Sequence, residues 1–125
     1  LMKTDIRNRK DIEKLVNAFY DKVKNDEAIG YLFTDVAHVN WELHLPKMYD
    51  FWENILFYTG NYDGNPMARH KELHDKSTMT KAHFQHWIDL FNKTVNYHFE
   101  GPKAEEIKNR AMNIATAMMY KTLSS

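Results

Sequence analysis

Residues 65–91 read NPMARHKELHDKSTMTKAHFQHWIDLF, and the arrangement of the whole chain turns on this stretch. Asn65 can cap a helix and Pro66 suits its first position, where a missing N–H costs nothing. The helix that begins here presents His70 and Leu73 on one face. It is short, because His74, Asp75, Lys76, Ser77 and Thr78 carry no apolar period. Thr78 or Thr80 then caps a longer helix whose apolar positions are Phe84, Trp87, Ile88, Phe91 and Val95. A single imidazole on a small helix, set between a glycine-rich turn and an aromatic helix, is placed to face the side of a pocket.

Outward from this stretch the chain is helical in pattern, with almost no strand-like alternation. Ile12, Leu15, Val16, Phe19 and Val23 make one helix face, with Asn8 or Asp11 as the cap and Tyr20 on the flank. That helix should end near Asn25 and Asp26. Gly30 marks a turn before Tyr31, Leu32 and Phe33, a small apolar group in an irregular or single-turn segment, with Phe33 turned inward. After Asn40, the residues Trp41, Leu45, Met48, Phe51, Trp52, Ile55 and Leu56 form a wide apolar face, and at about 100° per residue His44 falls within it. Pro46 conflicts with a helix capped at Asn40. Either the regular helix starts nearer Leu45, or it bends at the proline. Residues 59–65, TGNYDGN, are the longest loop signal. The last pattern opens at Gly101 and Pro102 and runs through Ile107, Ala111, Ile114, Ala115 and Met118 to about Lys121, with Glu105 and Glu106 favoured by the helix dipole.

A chain of 125 residues makes one domain, expected over 1–125, and buries roughly two thirds of its unfolded surface. Seventeen basic and seventeen acidic residues balance, and no basic run interleaves with aromatics, so nucleic acid is not an expected partner. There is no cysteine, which excludes disulfides, thiolate metal sites and haem attached through C-x-x-C-H. The opening LMKTDIRNRK holds no apolar run of signal-peptide length, and no stretch approaches a membrane span, so a cytoplasmic location is expected; the expected state is a monomer. Seven Phe, seven Tyr, three Trp and seven Met are present, many at inward positions. They suit either a plain aromatic core or the lining for a flat, polarizable cofactor.

Position separates the two. Neutral imidazole is the usual protein ligand of haem iron, and His70 is the residue placed to supply it. His74, four residues on, leaves a second reading open, a non-haem metal pair His70/His74 completed by Glu72, Asp75 or His44. A third is a metal-free helical interaction module. Tyr20, His44 and Trp87 each bring a polar hydrogen to an inward face. In the bland account they satisfy backbone carbonyls; in the sharper one they converge on a diatomic ligand at iron. Hydrogen bonds to charged groups contribute roughly 1.5–3 kcal/mol each. Two or three therefore slow ligand escape by several powers of ten, at about 1.4 kcal/mol per tenfold.

These residues together resemble the truncated haemoglobins, and among them the third group. The resemblance runs from about Ile12 to Tyr120. It rests on Phe19 and Tyr20 before Asp21, Lys22 and Val23, and on Trp41, Glu42, Leu43 and His44 leading to Phe51 and Trp52. Gly64, Asn65 and Pro66 followed by His70 and Leu73 belong to it, as does His83 through Phe91. The paired glycines of the other two groups are absent, as in the third. The resemblance implies an all-α two-over-two helical sandwich around non-covalent haem b, with His70 as proximal ligand and Tyr20, His44 and Trp87 on the distal side. It implies Phe19, Phe33, Met48, Trp52, Leu73 and Phe84 as apolar contacts of the macrocycle. Dioxygen or nitric oxide is the implied ligand. Nitric oxide oxidation or peroxidase-like turnover would need a partner reductase, since no flavin or nicotinamide motif is present. Arg69, Lys71 and Tyr31 are candidate partners of the haem propionates. Pro46 leaves three states open for His44: facing the bound ligand, swung outward as a gate, or binding iron.

Overall fold

The computed structural model describes residues 2–60 and 79–123, as four long helices and one π-helical turn. The first, α1 (Arg9–Lys24), is capped by Asn8, whose side chain accepts from the Asp11 amide, while the Asp11 carboxylate accepts from the Arg7 amide. Its apolar stripe is fully interior: Ile12, Leu15 and Val23 are 0% exposed, and Tyr20 on the flank is only 5% exposed. Lys24 is the last helical residue and Asn25 the C-cap, where the sequence placed the end.

The π-helical turn Leu32–Val36 follows. Gly30 precedes it for a reason the sequence does not display. Its backbone rests on the C-terminal carbonyls of α1, where a Cβ would stand 2.9 Å from both the Val23 and Lys24 oxygens. Backbone oxygens at a helix end cannot move aside cheaply, so Gly30→Ala should cost about 1–3 kcal/mol in urea unfolding. An unchanged midpoint would show that the segment shifts freely.

Helix α2 (Trp41–Phe57) carries Pro46 inside it. It therefore does not start near Leu45. The amides of Leu43 and His44 already bond back to the Asn40 carbonyl, and the ring at Pro46 forgoes one interior bond. Tyr58 ends the helix in the left-handed region, at φ 58°. Only Phe51, Trp52 and Leu56 are buried; Trp41, Leu45 and Met48 pack against the core from partly buried positions.

Helix α3 (Lys81–His98) is capped by Thr80 through a reciprocal pair, in which Thr80 Oγ1 accepts from the His83 amide and His83 Nδ1 accepts from the Thr80 amide. Helix α4 (Pro102–Leu123) has a cap supplied from the other end of the chain. The Asp5 carboxylate accepts from the amides of Lys103 (2.9 Å) and Ala104 (2.8 Å), filling the donors that a helix start leaves open. Gly101, at φ 141°, permits this approach, since a Cβ there would meet Asp5 Cγ at 2.6 Å.

Helix α1 packs on α2 and α3, α3 packs on α4, and α2 touches α4, which makes two helix pairs face to face. Their shared interior is aromatic. Trp52 stacks on Phe91 at 5.0 Å, Phe91 stacks on Trp87 at 5.7 Å, and Phe19 meets both Trp87 and Phe91 edge-on. Arg9 ties α1 to α2 at the rim through Asp50 (2.7 Å) and Glu53 (2.9 Å), beside a hydrogen bond from the Tyr49 hydroxyl to Asn17. None of these helices is long and apolar enough to cross a membrane, among the described residues.

Candidate functional site

Where the π-helical turn meets the first turns of α3 and the far part of α4, the packing leaves a small, partly open cleft. Its wall comprises Ile29, Leu32 and Phe33 from the turn region, Met79, His83, Phe84 and Trp87 at the start of α3, and Ala115 and Met118 of α4. The lining is aromatic, aliphatic and thioether in character, with His83 and Trp87 as the residues that carry a polar ring hydrogen. A flat, largely apolar ring system suits such a wall.

Beside the cleft lies a cluster built on α1. The Tyr20 ring is edge-on to His44 at 5.3 Å and to Phe33 at 6.3 Å, and it lies against Trp41 at 5.3 Å. His44 in turn meets Trp41 at 5.7 Å. Its ring is folded inward, with Nε2 shielded from solvent, so the outward-swung state is not the one adopted here. Phe19 joins the two groups, edge-on to Tyr20 at 5.0 Å and to Trp87 at 5.4 Å. Phe33 bridges them from the other side, as it both touches Tyr20 and lines the cleft.

Phe33, Phe84 and Trp87 thus stand on the cleft wall, and Tyr20 and His44 are brought together next to it. Phe19 and Trp52 stand behind Trp87, the first in direct contact and the second through Phe91. Met48 is partly buried against the core. His70, Leu73 and His74 lie outside the described residues, as do Arg69 and Lys71. Ile29, Leu32, Met79, His83, Ala115 and Met118 also line the cleft, although no site role was expected of them. Ala115 and Met118 were legible as inward positions of α4. His83 was hidden by its place in a capping pair, where Glu or Gln is the expected partner.

Asp26 holds the turn region onto α3. Its Oδ1 accepts from the amides of Ala28 and Ile29, and His86 Nε2 donates to Oδ2 at 2.8 Å. Burial pushes this carboxyl up, but the His86 hydrogen bond and the two amides outweigh it and hold the group below its ordinary 3.8. A carboxyl depressed in the folded state stabilises above its unfolded value, and that stabilisation is lost as the pH falls through the folded one. Thermal melts should therefore show a midpoint that drops below about pH 4 in the parent chain, with this part of the slope missing in Asp26→Asn. At neutral pH the variant should be about 1–2 kcal/mol less stable, the usual cost of a lost cap or charged hydrogen bond. Parallel pH curves would sink this account of the contact.

Two pairs of helices around an aromatic interior, with a cleft at one end, define a shortened globin of the two-over-two kind. A family model described as bacterial-like globin matches residues 5–121. The group 3 truncated hemoglobin ctb of Campylobacter jejuni is 30% identical, over 96% of this chain and 97% of its own length. The crystal structure of group III truncated hemoglobin from Campylobacter jejuni superimposes with a TM-score of 0.81 at 29% identity, covering 94% of this chain and 93% of that one. The chain belongs to the bacterial-like, truncated globin family. Family and fold together make it a globin-type haem-binding protein.

Proposed function

We propose that the chain holds haem b without covalent bonds, through His70, and reversibly binds dioxygen or nitric oxide on the side of Tyr20, His44 and Trp87. The observation that carries this reading is the juxtaposition of an apolar cleft with a polar pair inside an aromatic shell. When bound, haem supplies an iron centre that takes up a diatomic gas and shifts electron density onto it. Phe33, Phe84, Leu32 and Met118 give the macrocycle an apolar wall and exclude water from it. The Tyr20 hydroxyl, the His44 ring and the Trp87 indole offer hydrogen-bond donors to the ligand's partial negative charge. Phe19 and Trp41 fix the orientation of those donors by packing edge-on or tilted against them. Turnover in nitric oxide oxidation or peroxidase-like chemistry draws electrons from a separate reductase. We take the working unit to be one domain, monomeric and cytoplasmic.

The test is spectroscopic. The purified chain is titrated with haem, desalted, reduced and exposed to carbon monoxide and nitric oxide. A Soret band that survives desalting and shifts with each gas supports the reading. Bound metal without a Soret band would favour the His70/His74 pair, and uptake of neither would leave a helical interaction module. Among the described residues no group of three or more His, Asp or Glu is placed to hold a metal ion.

A further inference from the structure

The first turn of α3 sets the tautomer of a histidine on the cleft wall. His83 Nδ1 lies 3.1 Å from the Thr80 amide nitrogen, which can only donate. Nδ1 must therefore present its lone pair, and in the neutral ring the proton resides on Nε2. The cap thus fixes the Nε2–H as a donor directed away from the helix start. His83 also lines the cleft, where apart from the Trp87 indole it is the polar side chain of an otherwise apolar wall. Its ring meets that of Tyr31 edge-on at 6.2 Å, and Tyr31 is 38% exposed, which marks this edge of the cleft as the side open to solvent.

We propose that His83, through its Nε2–H, binds the carboxylate edge of the cofactor, with the Tyr31 hydroxyl as a second donor on the same rim. The assignment rests on the haem reading above and deepens it. An apolar ring system bearing acid groups must keep its carboxylates at a wet edge, because burying them unpaired is costly. The described wall offers such an edge at His83. A neutral imidazole is suited to it, since it donates one strong hydrogen bond to a carboxylate without adding a charge to the apolar wall.

The decisive variant is His83→Glu. Glu at the third helical position keeps the reciprocal cap with Thr80 and suits the helix dipole, so a merely structural His83 predicts unchanged or raised stability. A carboxylate-binding His83 predicts repulsion. The parent, His83→Glu and His83→Gln chains are each reconstituted with haem b and with its dimethyl ester, and the rate of transfer to excess apomyoglobin is followed. His83→Glu should lose haem b about tenfold faster than the parent, roughly the effect of one charge-assisted hydrogen bond. It should lose the dimethyl ester at the parental rate. His83→Gln, whose amide both accepts the cap and donates outward, should stay near the parent with either cofactor. Equal acceleration for both cofactors, or none for haem b, overturns the assignment and leaves the haem reading intact. Failure of the parent to take up either porphyrin removes both.

Discussion

In His70→Ala, the Soret band that survives desalting of the reconstituted chain should be lost. The cleft would still attract a porphyrin, because its wall of Leu32, Phe33, Phe84 and Met118 is apolar. Burial alone, however, gives a site that exchanges freely and does not fix the ring's orientation. Removing even the outer partners of a metal ligand costs about 10–100-fold in affinity, so loss of the ligand itself should cost at least about 100-fold. His74→Ala should leave the spectrum untouched, because His74 has no part in the haem reading. Retention of haem by His70→Ala with loss in His74→Ala would reverse the assignment of the ligand. Added imidazole should restore part of the band to His70→Ala, since it fills the vacated position without altering the cleft.

Tyr20→Phe and Trp87→Phe should each speed dioxygen release by about tenfold or more, the kinetic equivalent of losing one hydrogen bond to a charged group. The two variants differ in what else they disturb. Tyr20→Phe deletes a hydroxyl and keeps the ring that packs on Phe19, Trp41 and His44. Its aromatic packing should therefore survive the substitution. Trp87→Phe also shrinks a ring stacked on Phe91 at 5.7 Å and touching Phe19, so it should lower stability by about 1–3 kcal/mol as well. Stopped-flow release measured on both, together with melting curves, separates the two effects. Unchanged release rates in both variants would mean that these groups satisfy neighbouring carbonyls instead, and the case for a donor-lined ligand pocket would fail without touching haem binding itself.

The helices were legible wherever a local period or cap specifies them. The stripe Ile12 to Val23, the caps at Asn8 and Thr80 and the last helix from Pro102 all follow from residues within a turn or two of each other. Pro46 left two readings open, and the structure decides against one of them. Its missing hydrogen bond argued for a start nearer Leu45 or a bend, and the helix starts at Trp41 and runs through the proline. Gly30 was read as a turn signal, whereas the structure uses it for a close approach to the carbonyls of Val23 and Lys24. Asp5 drew no attention because the amides it caps stand almost a chain length away, and no periodicity records such a pair. At the site, aromatic and polar side chains on inward faces could be found from spacing. Which of them share a wall could not, since that depends on how α3, α4 and the π-helical turn converge.

The clamp of Asp5 on Lys103 and Ala104 also orders events while the protein is being made. The carboxylate emerges from the ribosome 98 residues ahead of its first partner. At about 5–20 residues per second, synthesis leaves the opening segment waiting roughly 5–20 s before it can dock. Nascent α1 and α2 can pair during that interval, but Asp5 can lock onto the start of α4 only once Lys103 and Ala104 have been made. A chaperone or a protease meeting the nascent chain earlier would find that opening segment still undocked.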